Sequence, residues 1–227
     1  MTLTVKSIYF VFQSTFMIED QDPVAALSDI RSMMERSSRF ISLSGLSGVG
    51  AGVIALMGAY WAYRSFGANP GFFTEDYTLP LRDVFKLQLI TIASVTLIGA
   101  ILAGLFFTYL KSRKLHLALW DSSSRRMLIN LGIPLIAGGF FILRLIDLGD
   151  IGMIAPACLI FYGLGLVNAS KYTYGDIRYL GYIEIVLGLG NLLALGKGLY
   201  FWATGFGIAH ILYGVFMWNR YDNVKTK

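Results

Sequence analysis

The sequence predicts an all-α, polytopic membrane protein whose six transmembrane helices form three repeated helical hairpins, preceded by a short cytoplasmic amphipathic helix. Of the 227 residues, 56% are hydrophobic and only 15% are charged, whereas a soluble domain carries about 25% charged residues. The apolar residues fall in long runs, and a helix needs about 20 of them to cross a bilayer core of about 30 Å. Little sequence therefore remains for a soluble domain.

The chain begins with a segment, 1–21, that precedes the first recognisable element. Residues 1–16 contain an apolar stretch too short to span a bilayer and lack a small-residue cleavage site. We therefore expect a disordered leader, or a natural start at Met17. Asp22-Pro23 then predicts a helix start, because the pair reads as an N-cap followed by proline in the first turn.

Residues 22–39 are predicted to form an amphipathic helix. Its apolar residues recur at helical spacing, and charged residues occupy the opposite side, so we expect it to lie on the cytoplasmic membrane surface or against the helix bundle. This is also the part of the chain at which we expect a protein partner to bind.

The transmembrane domain is predicted over 40–218, followed by a cytoplasmic tail at 219–227. Aromatic residues such as Trp61 and Trp218 lie at the ends of apolar runs, where their rings favour the headgroup region. The six predicted spans are 40–63, 87–110, 127–146, 151–167, 179–195 and 199–218.

The basic residues predict the orientation. The segments on the side of the amino terminus hold most of the Lys and Arg, and the opposite segments hold only Arg64, Arg82, Lys86 and Lys197. By the positive-inside rule, both termini are cytoplasmic, and we expect a multi-pass protein of a cell membrane, the bacterial inner membrane. The basic loop 111–126 is expected to face anionic lipid of the inner leaflet. Nucleic acid is not an expected partner.

A glycine pattern, G-x6-G-x3-L, recurs in the first, third and fifth predicted spans. Each of these spans is followed by a returning one, which gives the three hairpins. Small residues on one helix face let backbones approach closely, so the pattern predicts helix packing. The glycines concerned are Gly45, Gly52, Gly132, Gly139, Gly181 and Gly188.

Glu184 and His210 are ionisable residues within predicted spans. Such a group costs a few kcal/mol at mid-bilayer unless it is paired or hydrated. The last two spans form a hairpin and place the two residues at similar depth, so we expect a contact between them. The pair is either a proton or ion site or a structural hydrogen bond, and both interpretations stay open. Three polar residues complete the candidate intramembrane site: Asn130, Asn168 and Asn191.

Arg144, at the outer end of the third span, is followed by Asp147 and Asp150, and the three are predicted to form an outer ion-pair cluster. Two histidines and one cysteine, Cys158, give no zinc constellation and no intramolecular disulfide. We expect no metal and no cofactor.

One short segment, Gly45-Leu46-Ser47-Gly48, resembles the GxSG nucleophile motif of rhomboid intramembrane proteases, and Ala209-His210 on the last span resembles the partner of that serine. The resemblance implies a serine hydrolase in which His210 is the base that activates Ser47. The chain departs from the family pattern because this motif lies on the first span and not on the fourth, and the second span has no His/Asn oxyanion pattern.

Three functions therefore stay open. The absence of a catalytic constellation favours a non-enzymatic membrane module, meaning a sensor, accessory or scaffold subunit. A small-solute, proton or ion transporter or channel would use Glu184 and His210, and a rhomboid-like hydrolase would use Ser47 and His210. A polar cavity reaching Glu184 would favour transport, whereas a solid core would favour the module.

Overall fold

The computed structural model describes residues 40, 43–66, 79–116 and 120–223, all within the unit Arg39–Lys227. These residues form helices and connecting turns, with no β-strand among them. The predicted leader 1–21 and amphipathic helix 22–39 lie outside the described residues.

Six helices follow one another in the described chain, in the predicted order. Five are long and apolar enough to cross a membrane, if the turns that flank α4 are included. The fifth in order, α5, has only 16 residues, or about 24 Å at 1.5 Å per residue. The helices are α1 (Gly45–Phe66), α2 (Leu79–Leu115), α3 (Ser122–Leu148), α4 (Ile154–Ala169), α5 (Ile177–Leu192) and α6 (Leu195–Asp222).

The α3 helix has clear signals at both ends. Asp121 is its N-cap, and its carboxylate accepts a hydrogen bond of 2.6 Å from the backbone N–H of Ser124. Ser124 in turn accepts one from the backbone of Asp121, which completes a capping box. Gly149 ends the helix with φ of 85°, a conformation that glycine adopts without steric cost.

The α6 helix is irregular in a way that the sequence did not predict. It contains two π-helical segments, Ala203–Ala209 and Trp218–Asp222, separated by the α-helical segment His210–Met217. A π-helical turn is wider than an α-helical turn and occurs often at functional sites. The first of these segments contributes to the site described below.

The bundle buries small residues and exposes large apolar ones. The α1 helix packs against α2 and α6, while α4 packs between α3 and α5. The outer surface of α3 carries Phe140, 73% exposed, and α2 exposes Leu102 at 61%. This distribution fits apolar surroundings. The buried residues of α1 are Gly45, Ser47, Gly52, Ala55, Gly58, Ala59 and Ala62.

The predicted packing role fits four of the six pattern glycines. Gly45 and Gly52 lie against the backbone of α6, and a Cβ at Gly181 would lie 2.8 Å from the carbonyl oxygen of Gly163. Gly188 lies equally close to α4.

The packing prediction is wrong for Gly132 and Gly139, because a Cβ at either would meet no atom within 4 Å. Gly138 packs instead, against Phe161 of α4. The cause is helix geometry: neighbouring residues differ by about 100° in direction, so Gly138 and Gly139 cannot both face α4.

The helices alternate in direction. At one end, which we call the Asp222 end, the start of α1 lies beside the loop from α4 to α5: Phe40 N donates to the carbonyl of Tyr172 at 2.7 Å, and Thr173 donates to the carbonyl of Phe40 at 2.7 Å. At the opposite end, the Asp147 end, Lys86 Nζ lies 3.4 Å from the carbonyl oxygen of Asp147.

Candidate functional site

Three polar side chains from three helices meet inside the bundle. Nδ1 of His210 on α6 lies 3.3 Å from Oε1 of Glu184 on α5, which is fully buried. Nε2 of the same imidazole lies 2.7 Å from the hydroxyl of Tyr162 on α4. We call these three residues the buried polar cluster. The structure thus brings Glu184 and His210 into the expected contact and adds Tyr162, which sequence reasoning missed because tyrosine is common in apolar spans.

The hydrogen bonds fix one proton of the imidazole. Nδ1 of His210 lies 2.9 Å from the carbonyl oxygen of Gly205, which can only accept, so Nδ1 carries hydrogen. In the neutral ring Nε2 accepts from Tyr162, and in the charged ring Nε2 donates to the same phenol oxygen. Both charge states of His210 therefore fit the same heavy-atom positions.

The carboxylate of Glu184 has weaker support. Its contact with His210 is of ion-pair length, but the Nδ1–H bond points to Gly205, and neither Oε1 nor Oε2 has a hydrogen-bond partner among the described residues. An ionised carboxylate buried in this way needs a cation beside it. Either His210 is charged and Glu184 ionised, or Glu184 holds the proton and His210 is neutral.

Gly205 makes room for this carboxylate. A Cβ at Gly205 would overlap Oε2 of Glu184 and would lie 2.6 Å from Cδ2 of Leu159. Gly205 lies in the π-helical segment Ala203–Ala209, and its carbonyl is the one that meets the imidazole. The π-helical turn and the absence of a side chain at Gly205 therefore both contribute to the packing of the buried polar cluster.

Aromatic rings pack on the imidazole. Phe206 stacks on His210 with ring centroids 5.9 Å apart, and it also contacts Tyr162 at 5.0 Å. Trp202 packs on Phe206 from one turn earlier, again at 5.0 Å. These rings surround the cluster with apolar material and keep the local dielectric constant low.

The predicted asparagines do not join the cluster. Asn168 of α4 donates to the carbonyl of Asn130 at 3.1 Å, and Asn130 donates to the carbonyl of Arg126 at 2.8 Å, so both asparagines bond to the backbone of α3. Asn191 is fully buried but lies near the end of α5, where it donates to the carbonyl of Ala194 at 3.0 Å.

The predicted outer cluster is not formed. Arg144, Asp147 and Asp150 are all exposed, and no ion pair joins them in the described part of the chain. At an exposed helix end the solvent compensates these charges, so little free energy is gained by ordering three long side chains.

The resemblance to a serine hydrolase finds no support in the geometry. The hydroxyl of Ser47 donates to the carbonyl of Ser44, the residue before α1. Both nitrogens of His210 are engaged by groups of α4, α5 and α6. The two residues therefore do not form a nucleophile and base pair.

A second polar cluster lies at the Asp222 end. Asp222 pairs with Lys111 Nζ at 2.7 Å, and both side chains are largely buried. Lys111 also donates to the carbonyl of Leu43 at 2.8 Å and to the hydroxyl of Tyr174 at 3.1 Å. Lys111 was expected to face lipid as part of the basic loop; its charge is instead directed into the bundle, where a carboxylate compensates it.

Comparison with known protein families, curated proteins and solved structures finds no match to this chain. The class of protein therefore follows from the helices alone. Five long apolar helices with large apolar side chains on the outside fit a multi-pass membrane protein.

Proposed function

We propose that the protein is a non-enzymatic membrane module, a proton-responsive sensor or accessory subunit, whose buried polar cluster gains and loses a proton. The observation that carries this proposal is the carboxylate of Glu184, fully buried and 3.3 Å from Nδ1 of His210, with no hydrogen-bond donor of its own in the described chain.

The physical reason is that the buried polar cluster has no net charge in only one protonation state. One proton shared between Glu184 and His210 leaves no net charge in the interior. A second proton leaves a buried cation, and removal of the shared proton leaves a buried anion; each costs several kcal/mol in apolar surroundings. Because the three residues lie on α4, α5 and α6, a change in protonation alters the packing of three helices.

We also propose that the chain crosses a bacterial inner membrane six times, with both termini on the cytoplasmic side. The six-span topology is supported by the direction of α5, which runs from the Asp222 end to the Asp147 end, antiparallel to its neighbours. The exposed basic residues Arg113, Lys114 and Arg125 lie at the Asp222 end, which fits an inner face. In this topology the three hairpins are α1–α2, α3–α4 and α5–α6.

The proposed partners are anionic lipid and a protein. Four basic residues around the turn between α2 and α3 are exposed, and Trp120 beside them is 72% exposed, as expected for a segment at a lipid headgroup surface. The residues are Arg113, Lys114, Arg125 and Arg126. The predicted amphipathic helix 22–39 remains the proposed site for a protein partner.

The test is the pH dependence of thermal unfolding in nanodiscs. The wild-type protein should have a maximum of stability, with a fall at acid pH and another at alkaline pH. Glu184→Gln should remove the alkaline fall, because Gln beside a neutral imidazole carries no charge, and should keep the acid fall. Asp150→Asn, an exposed acid at a helix end, is the matched control and should keep both falls. Superimposable curves for Glu184→Gln and wild type would refute the proposal.

A transporter that uses the same cluster is the second candidate, favoured by a further buried polar group on α6, the hydroxyl of Tyr213, which has no hydrogen-bond partner among the described residues. Against it, two surface grooves of the described chain, beside Ile129 on α3 and beside Met57 on α1, do not include Glu184. Proton flux into proteoliposomes under a pH gradient distinguishes the two candidate functions. A non-enzymatic module should give the same flux as vesicles without protein, whereas a transporter should give a larger flux.

A further inference from the structure

We infer that a groove on the outer face of α3 binds one anionic phospholipid, with an acyl chain lying along the helix and the phosphate on the guanidinium of Arg125. This inference rests on the proposed function in one respect, the anionic lipid proposed at the turn between α2 and α3, and it assigns that lipid a defined site. We call the site the α3 groove, and its volume is about 410 Å³. Along the helix it is lined by Arg125, Leu128, Ile129, Gly132, Ile133 and Ile136.

The groove exists because Gly132 has no side chain. Residues four apart on a helix lie one above the other, so Leu128, Gly132 and Ile136 form one row on the surface of α3. A Cβ at Gly132 would meet no atom within 4 Å. The side chains before and after it in the row are exposed, Leu128 by 45% and Ile136 by 64%. The row is therefore interrupted by a gap that is one side chain deep.

The groove faces away from the rest of the bundle. The α3 helix packs on α4, and Gly138 marks the packed face because it lies against Phe161. Ile129 precedes Gly138 by nine residues, and at about 100° per residue the two point about 180° apart. In a membrane, the face that carries Ile129 therefore meets lipid.

The groove has the length of one lipid leaflet. Ile136 follows Arg125 by 11 residues, which corresponds to about 17 Å along the helix axis. Half of a hydrocarbon core is about 15 Å thick. An acyl chain in the groove therefore extends from the headgroup level beside Arg125 to the middle of the bilayer beside Ile136.

The end of the groove at headgroup level is positively charged. Arg125 is exposed and forms no ion pair within the described chain, so its guanidinium is able to bind a phosphate through two parallel N–H donors. Trp120 lines the same end, where its ring packs on apolar chains and its N–H donates to a headgroup. The neighbouring carboxylate of Asp121 accepts from the backbone of Ser124 and does not line the groove. This charge distribution favours an anionic headgroup over a zwitterionic one.

A helix from a second copy of the chain fits this face less well than a lipid. Helices that approach closely in membranes carry small residues four apart, whereas the residues four before and four after Gly132 are leucine and isoleucine. A second helix would also bury the guanidinium of Arg125 in apolar surroundings, which is costly unless the charge is paired. A flexible acyl chain fills the gap at Gly132, and its phosphate pairs with the arginine.

The test is native mass spectrometry of the full chain in detergent, titrated with phosphatidylglycerol or with phosphatidylcholine of the same acyl chains. The wild-type protein should bind one phosphatidylglycerol at least about tenfold more tightly than phosphatidylcholine. Arg125→Gln should weaken this binding by about tenfold, because it removes the charged partner of the phosphate. The matched control Arg126→Gln removes the same charge from the next residue, which is exposed and does not line the groove, and should weaken it by less than about twofold.

A second pair of variants tests the acyl chain. Gly132→Leu fills the gap and should weaken the binding of phosphatidylglycerol by at least about tenfold, because the chain loses its apolar contacts. The matched control is Gly139→Leu, two turns later on nearly the same face, where a Cβ also meets no atom within 4 Å and which lies outside the groove. It should bind as the wild type does. Glycerol 3-phosphate, which has the phosphate but no acyl chain, should not displace the lipid.

Three results would overturn the inference. Equal weakening in Arg125→Gln and Arg126→Gln would mean attraction to surface charge without a defined site, and unchanged binding in Gly132→Leu would mean that the gap holds no chain. A dimer in the wild-type spectra that Gly132→Leu abolishes would assign this face to a second copy. None of these results affects the pH dependence of unfolding in Glu184→Gln, so the proposed proton response is judged separately.

Discussion

The carboxylate of Asp222 accepts a hydrogen bond of 2.8 Å from the backbone N–H of Gly45, so the end of α6 caps the start of α1. The same oxygen accepts from the hydroxyl of Ser44 at 3.0 Å, and the other oxygen pairs with Lys111. A carboxylate at a helix N-terminus satisfies free N–H groups and is favoured by the helix dipole. One side chain therefore joins the first, second and last helices.

Asp222→Ala should lower the free energy of unfolding by about 3 kcal/mol, because it leaves the largely buried ammonium of Lys111 without its carboxylate. Chemical unfolding in detergent micelles measures the change. Asp147→Ala, which removes an exposed carboxylate that forms no ion pair within the described chain, should change stability by less than about 0.5 kcal/mol. Combining Asp222→Ala with Lys111→Met should recover part of the loss; equal losses at both aspartates would contradict the prediction.

Gly205→Ala should destabilise the bundle, because the new Cβ overlaps the carboxylate of Glu184. Overpacking of this kind costs about 1–3 kcal/mol. Since the overlap is with one side chain, the double variant with Glu184→Ala should lose less than the sum of the two single variants. Additive losses would show that Gly205 contributes only through its backbone.

The glycines at helix contacts should differ from those that face outward. Gly181→Ala should reduce stability, because its Cβ would lie 2.8 Å from a backbone oxygen of α4 that cannot move aside. Gly139→Ala meets no atom within 4 Å and should stabilise α3 by up to about 1 kcal/mol through helix propensity. Thermal unfolding of the two variants side by side measures this; loss of stability in both would mean that the outer face of α3 is also packed.

The proposed orientation predicts the labelling of two exposed turns. In a Cys158→Ala background, Gly196→Cys should react with an impermeant thiol reagent applied to intact cells, and Ser122→Cys should react only after the membrane is opened. Both positions are exposed at opposite ends of the bundle. The reverse pattern would invert the topology, and reaction at both positions in intact cells would exclude the odd number of crossings that the six-span topology places between them.

The helices and one contact of the site could be predicted from the sequence. Features that depend on which helix faces pack together could not. Long apolar runs are sufficient to predict spans because the bilayer fixes their length. Glu184 and His210 could be paired because two helices of a hairpin must be adjacent.

Other features depend on which face of a helix meets which neighbour, and periodicity in nearly uniform apolar sequence carries little of that information. The glycine pattern therefore indicates Gly139 where Gly138 packs, and it gives no signal for Tyr162. The partnership of Lys111 with Asp222 was missed for a different reason: the residues are far apart in the chain, and each looked like an ordinary charge beside a span.

The shortness of α5 has a consequence for the lipid around the protein. With 16 residues, α5 crosses about 24 Å, against about 30 Å for an average hydrocarbon core. In the six-span topology this mismatch is met by thinning of the bilayer, by snorkelling of flanking side chains or by oligomerisation, each at a cost of fractions of a kcal/mol for each ångström. The protein should therefore favour short-chain lipids and thin regions of membrane, and under the proposed function acyl-chain length would join pH as a variable that acts on the helices carrying Glu184 and His210.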